Sequence, residues 1–234
     1  IDYVVLTHNH ADHVLIETLL ALRPKIRCII VPASGGGLAD PCLKAMLQSI
    51  GFTNVVALDS LDEIQNGSLK ITALPFLGEH GDLNIRSKAA WLVNSGDQRF
   101  LFAADSNNLE PKLYDIIKQE FGKINSVFIG MECVGAPVSW TYGPLMPNTI
   151  DRKKDQSRRL NGSDFERGFK AIKSLECDEV YVYAMGAEPW LQYVTSIDPR
   201  EDTPQRLNAL QLIQACKDAG MKAEYLFAKA EAVI

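Results

Sequence analysis

Three imidazoles and a carboxylate fall within six residues of this chain: His8, His10, Asp12 and His13 in Thr7-His8-Asn9-His10-Ala11-Asp12-His13. The group follows the apolar run Ile1–Leu6, which reads as a buried strand. It precedes a helix-like run from Val14 to Leu22 that Pro24 stops. Crowding these donors beside a strand end is costly without a partner, because buried imidazoles lose hydration and repel one another once protonated. A lone histidine is more often structural than a ligand. Neutral nitrogens and an anionic oxygen together on one turn suit a transition metal.

Elsewhere β-rich apolar runs alternate with helix-like segments, the pattern of a layered α/β domain. Strands are predicted at Arg27–Val31, Val55–Leu58, Ser68–Phe76, Ala89–Asn94, Arg99–Ala103, Ser126–Met131, Glu179–Ala184 and Ala223–Phe227. Ser95-Gly96-Asp97-Gln98 joins two of them as a hairpin, which makes the middle of the chain largely antiparallel. Helices are predicted at Pro41–Ile50, Pro111–Phe121, Ser163–Leu175 and Pro204–Ala219, with Ser163 and Glu166 as a capping box. The triple glycine Gly35-Gly36-Gly37 lacks the Lys-Ser/Thr of a phosphate-binding loop and reads as a turn. The segment Asn148–Asn161 carries Arg152, Lys153, Lys154, Arg158 and Arg159; it reads as a solvated loop or, alternatively, a lid for an acidic substrate.

Composition narrows the partners. A net charge of −5, from 24 basic and 29 acidic residues, offers no footprint for a nucleic-acid backbone. No apolar run approaches the roughly 20 residues of a membrane span. Five widely spaced cysteines with no CxxC pair read as buried free thiols of a reducing, cytoplasmic compartment. The chain starts at Ile1, already inside an apolar run, so residues 1–234 are expected to be one metal-binding domain from the C-terminal part of a longer protein.

The H-x-H-x-D-H pattern at a strand-to-helix turn resembles the first metal motif of the metallo-β-lactamase superfamily. Asp105, ending the apolar run Leu101-Phe102-Ala103-Ala104, resembles that superfamily's bridging aspartate. The resemblance implies an αββα sandwich whose N-terminal strands are missing from this chain. Hydrolases of the superfamily commonly add two later histidines, whereas this chain has only His80 after His13. Carboxylates stand in their place: Glu79 in Gly78-Glu79-His80-Gly81-Asp82, and Glu132 in Gly130-Met131-Glu132-Cys133. A set with two glutamates resembles the superfamily's diiron oxygenase branch.

That branch implies one iron on His8, His10 and Glu79, a second on Asp12, His13 and Glu132, and Asp105 bridging. Glu79 and His80 compete for one place, because alternation sends only one of two neighbours inward. If His80 is not a ligand, it is a candidate hydrogen bonder or proton donor. Asp12, Glu79, Asp105 and Glu132 carry four negative charges, which balance two divalent ions. Oxygen-rich ligation favours iron, with manganese or zinc possible. The resemblance implies a small-molecule or carrier-protein-tethered substrate. No flavin or nicotinamide motif is present in the sequence, so an external electron donor is expected.

A dinuclear zinc hydrolase acting on an ester, amide or phosphodiester is the alternative, with Asp105 bridging and Asp12 orienting a metal-bound water. A third possibility is a non-catalytic scaffold that binds partners through Arg152–Arg159. For Glu79 and Glu132 the bland alternative is a strand-end surface carboxylate.

Overall fold

The computed structural model describes residues 1–37, 40–78, 85–137, 139, 147–151, 153, 155, 159–188, 190 and 202–228. The chain forms two compact units, Ile1–Phe76 with His80–Phe102, and Leu77–Glu79 with Ala103–Ile234.

The first unit holds β1 (Tyr3–Val5), α1 (Ile16–Leu22), β2 (Cys28–Pro32), α2 (Leu43–Ser49), β3 (Val55–Leu58), β4 (Glu63–Asn66), β5 (Leu69–Leu74), β6 (Ala90–Ser95) and β7 (Gln98–Phe102). Strands β1, β2 and β3 form a parallel sheet in that order, while β4 to β7 form an antiparallel meander. Strand β2 is buried along its whole length, so its alternating side chains feed two cores. Ile29 and Val31 pack with Leu19, Leu43, Leu47 and Phe52 from the helical side. Cys28 and Ile30 face Ile71, Ala73 and Trp91 of the meander. The unit is therefore layered helix, sheet, sheet. Trp91 is buried, and its indole Nε1 donates to the Leu6 carbonyl at 3.0 Å, which fixes β6 against the end of β1.

The second unit holds α3 (Lys112–Phe121), β8 (Ser126–Ile129), a two-residue pair β9 (Ala136–Pro137) and β10 (Arg159–Leu160), α4 (Phe165–Leu175), β11 (Glu179–Val182), α5 (Pro204–Asp218) and β12 (Lys222–Tyr225). Strands β8, β11 and β12 run parallel, with β11 central. The long connections that parallel pairing needs contain α4 and α5. Their buried faces are Ala171, Ile172 and Leu175, and Ala209, Leu212, Ile213 and Cys216. Among the described residues, no helix is long and apolar enough to cross a membrane.

Most predicted elements are present with ends shifted by one to three residues, and five expectations need correction. The first strand is only Tyr3–Val5 and half-buried. Strand β4 was not expected, because a strand paired on one side needs only backbone partners; Ile64 is its sole apolar residue. The cap of α4 is Asp164 rather than Ser163: the Asp164 carboxylate accepts from Arg167 N at 2.9 Å, while the buried Ser163 hydroxyl donates to the Asp164 carbonyl. All five cysteines are free, but Cys42 is exposed and Cys133 half-buried. The basic segment is also not wholly loop, since Arg159–Leu160 pairs in β10. Arg152, Lys154 and Arg158 lie outside the described residues, and Lys153 is exposed.

One carboxylate organises the loops of the first unit. Asp40 is buried and accepts from Arg86 N at 3.2 Å and Ser87 N at 2.9 Å, and also from Gly35 N and the Ser34 hydroxyl. Burial alone would raise its pKa, but the hydrogen bonds from Ser87, Gly35 and Arg86 outweigh burial and hold it below the usual carboxylate range. A depressed folded-state pKa contributes stability that is present above the unfolded value and lost as pH falls through the folded one. Asp40→Asn is expected to cost about 1–3 kcal/mol at neutral pH. In urea titrations, its deficit against the unmodified protein should shrink as pH drops below about 4.

Candidate metal centre

Strand β1 ends at Val5, and the chain then turns tightly: His13 N and Val14 N both donate to the His10 carbonyl, at 3.1 and 2.8 Å. This turn brings the four donors read from the sequence together. The His8 and His13 rings lie 4.2 Å apart, the His8 and His10 rings 4.5 Å apart edge to face, and His13 Nε2 is 3.7 Å from Asp12 Oδ2. His8 and His10 are buried, at 1% and 4% exposure. The first histidine is held from three sides. Thr7 Oγ1 meets its Nδ1 at 3.0 Å, its backbone bridges Lys88, and the Phe76 ring packs against it at 5.5 Å. Ala89 N, donating to the Thr7 carbonyl at 2.9 Å, extends that bridge.

With Nδ1 turned to Thr7, His8 directs Nε2 at His10 Nδ1, 3.2 Å away. Two buried nitrogens this close share at most one proton, so the pair cannot be doubly protonated. Two metal–nitrogen bonds of about 2.0–2.1 Å meeting at a little over a right angle span the same distance. The donor chemistry therefore fits a metal ion, with Thr7 fixing which nitrogen of His8 is offered.

In the second unit the carboxylates occupy strand-end loops. Asp105 follows β7 by three residues and is buried; Glu132 follows β8 by three and is half-buried. Ala104, just before Asp105, takes a left-handed backbone with φ of 50°, which costs a non-glycine residue on the order of 1 kcal/mol. Gly130 lies against that bend, its N–H donating to the Ala104 carbonyl at 2.9 Å. A Cβ on Gly130 would stand 2.7 Å from Asp105 Oδ1 and 2.8 Å from the Ala104 carbonyl oxygen. The Asp105 carboxylate thus lies in a cradle that only glycine leaves open. Gly162 N donates to the Glu132 carbonyl at 2.8 Å, and a Cβ there would lie 3.2 Å from the Asp105 carbonyl and 3.5 Å from Glu132 N and O. The Asp105 and Glu132 backbones therefore meet at this turn.

Burial holds the Tyr183 phenol well above its ordinary pKa, and the charge of Asp105 raises it further. Burial, then the charge of Glu132, pushes the Cys133 thiol up to about 11, so it is no thiolate at neutral pH. Glu79 and His80 lie outside the described residues. Sequence reasoning missed Lys88, Gly130, Gly162 and Tyr183. The glycines had a local signal in their nearness to acidic residues, but Lys88 meets the histidine turn, and Tyr183 the Asp105 loop, through tertiary pairing alone.

Comparison with known proteins gives these features relatives. The chain is 48% identical over 227 residues to the 4-amino-L-phenylalanyl-[CmlP-peptidyl-carrier-protein] 3-hydroxylase of Streptomyces venezuelae, covering 97% of this chain and 43% of that protein. The crystal structure of CmlA, a diiron β-hydroxylase from Streptomyces venezuelae, superposes with a TM-score of 0.91 at 48% identity, covering 97% of this chain and 44% of that one. This chain thus spans less than half the length of these relatives. Isothiocyanate hydrolase from Delia radicum gut bacteria shares the fold at 20% identity and a TM-score of 0.59, over 96% of this chain and 73% of that one. Residues 1–137 match the β-lactamase superfamily domain, and the chain belongs to that superfamily.

Proposed function

We propose that this chain carries the dinuclear iron centre of an O2-dependent β-hydroxylase whose substrate is an aminoacyl group held on a peptidyl carrier protein. The observation that carries this reading is the 48% identity, across 97% of the chain, to a hydroxylase named for that substrate, whose solved counterpart is named a diiron enzyme. In the proposed ligand set His8, His10 and Glu79 hold one iron, Asp12, His13 and Glu132 hold the other, and Asp105 bridges. His80 is the alternative to Glu79. The five free thiols suit a cytoplasmic setting.

When bound, the iron pair supplies O2-activating redox chemistry: one oxygen atom enters a substrate C–H bond, the other leaves as water, and two electrons come from an external donor with two protons. The chain's own residues set the terms for that chemistry. Neutral His8 and His10 offer Nε2 and Nδ1 from a buried turn, with Thr7 and Phe76 limiting their rotation. Asp12, Glu79, Asp105 and Glu132 supply four negative charges against four positive ones, so the reduced centre is neutral overall. Tyr183 stays a protonated phenol beside Asp105.

Elemental analysis and Mössbauer spectroscopy of the full-length protein from iron-supplemented medium are expected to give two irons per chain in a coupled cluster. Two zinc ions, with iron failing to load even anaerobically, would make a hydrolase the better reading. Asp105→Ala should abolish dimetal binding, whereas Glu132→Ala should empty one site and leave about one iron. If Glu132→Ala retains two irons and full hydroxylation, Glu132 is an ordinary surface carboxylate. Gly130→Ala, which places a methyl group 2.7 Å from Asp105 Oδ1, is expected to weaken iron binding about 10- to 100-fold, measured by anaerobic titration.

A further inference from the structure

Asp105 is followed by two polar residues that are buried as deeply as it is, Ser106 and Asn107. A buried amide is costly unless every donor and acceptor is matched, and Asn107 matches all of its own. Its Nδ2 donates to the Asn161 carbonyl at 3.0 Å and the Gly162 carbonyl at 3.2 Å, and its Oδ1 accepts from Arg167 Nη1 at 2.5 Å. Its backbone N–H donates to the Leu77 carbonyl at 3.0 Å, an oxygen that also accepts from the Ser106 hydroxyl at 3.2 Å. Gly78, with φ of 90°, packs so closely that a Cβ on it would overlap Asn107 Cβ.

Three segments therefore converge on one side chain and its own backbone. Leu77 and Gly78 directly precede Glu79 in sequence. Asn107 itself lies two residues after Asp105. Gly162, held by the amide through its carbonyl, donates its N–H to the Glu132 carbonyl. Arg167 is fixed in turn: its backbone N–H is capped by Asp164 at 2.9 Å, and its Nε lies 3.6 Å from Asp164 Oδ2. The N-terminal turn of α4 thus anchors the guanidinium that orients the amide.

We propose that Asn107, oriented by Arg167, is the positioning residue that sets the three carboxylate-bearing segments of the metal centre in register with one another. The inference rests on the reading of Glu79, Asp105 and Glu132 as ligands and extends it to the residues that hold their loops. Asn107 touches neither metal nor substrate in this role. It acts through backbone, as outer-shell groups that orient ligands do, and losing such groups typically weakens metal affinity by about 10- to 100-fold. An aspartate in its place keeps the shape and the Arg167 partner but turns a carboxylate oxygen toward two carbonyls, which drives the Gly162 turn away. Arg167 is half-exposed on its helix, so its replacement leaves the core intact.

The test is anaerobic Fe(II) titration of the full-length protein, with Mössbauer spectra of the 57Fe-loaded forms and urea unfolding of each variant. Asn107→Asp, Arg167→Met and Arg167→Lys are compared with the unmodified protein, and Leu175→Ala, a buried core position at the far end of α4, controls for destabilisation. The expected result is affinity for at least one iron lowered about 10- to 100-fold in Asn107→Asp and Arg167→Met. Their spectra should broaden or shift, and Arg167→Lys should recover part of the loss. Two irons bound with unchanged affinity and spectra in both variants would overturn the proposal. So would an equal loss in Leu175→Ala at matched urea midpoints, since general loosening would then explain it. Unmodified protein that takes up no iron would instead overturn the diiron reading, and this inference with it.

Discussion

Two imidazole nitrogens 3.2 Å apart in a site closed to water hold at most one proton between them, and the surroundings of the histidine turn follow from that limit. His8 must be kept neutral and offered through one defined nitrogen, which Thr7 secures by taking the other. Its backbone must not drift, which the bridge to Lys88 and the bond from Ala89 secure. Those two residues lead into β6, whose Trp91 is bonded to the end of β1, so the turn is framed by strands packed on both faces. Asp40, by gripping Arg86 and Ser87, sets where that framing segment begins. A chain of hydrogen bonds thus runs from a buried carboxylate without metal-binding character to the first donor of the turn.

The carboxylate side meets a different constraint. An ionised carboxylate brought out of water needs compensating positive charge or donors, and its loop must satisfy its own backbone. The solution uses residues out of place by local preference: a left-handed Ala104, a left-handed Asn108 and a left-handed Ala184, each shortly after a strand ends. Each such conformation costs on the order of 1 kcal/mol in a non-glycine residue. The bend at Ala104 is held through its backbone, the carbonyl accepting from Gly130 N, and Asn108 is tied through its side chain, whose Oδ1 accepts from the buried Tyr114 phenol. Strain concentrated where strands give way to loops is what a site needing fixed donors would accumulate.

How much of this the sequence disclosed depends on how local each signal is. The clustering of His8, His10, Asp12 and His13 was legible because strand, donors and helix are contiguous, although the strand is shorter than its apolar run; His8, Asp105 and Glu132 each follow a strand end by three residues. Strand β4 was hidden because its signal is a backbone ladder on polar residues, and the α4 cap shifted by one because Ser163 and Asp164 both have capping side chains. Glu79 and His80 lie outside the described residues, so the choice between them rests on the sequence alone. Asn107 was illegible, since nothing within a few residues of it shows that Leu77, Gly162 and Arg167 converge there.

Fold alone does not choose between oxygenation and hydrolysis. Isothiocyanate hydrolase shares this fold at 20% identity, so helix, sheet and loop order are compatible with hydrolysis. What separates the readings is the donor inventory. In the proposed ligand set, three of the chain's four histidines lie within one turn, one imidazole is left for the later positions, and carboxylates supply the rest. Each carboxylate that replaces an imidazole adds a negative charge and a harder donor, which lowers the net charge of the cluster and makes a higher oxidation state easier to reach. A zinc ion gains nothing from that change because it has no redox step to take. An iron pair does, which is why the proposed carboxylate-rich set favours iron over zinc.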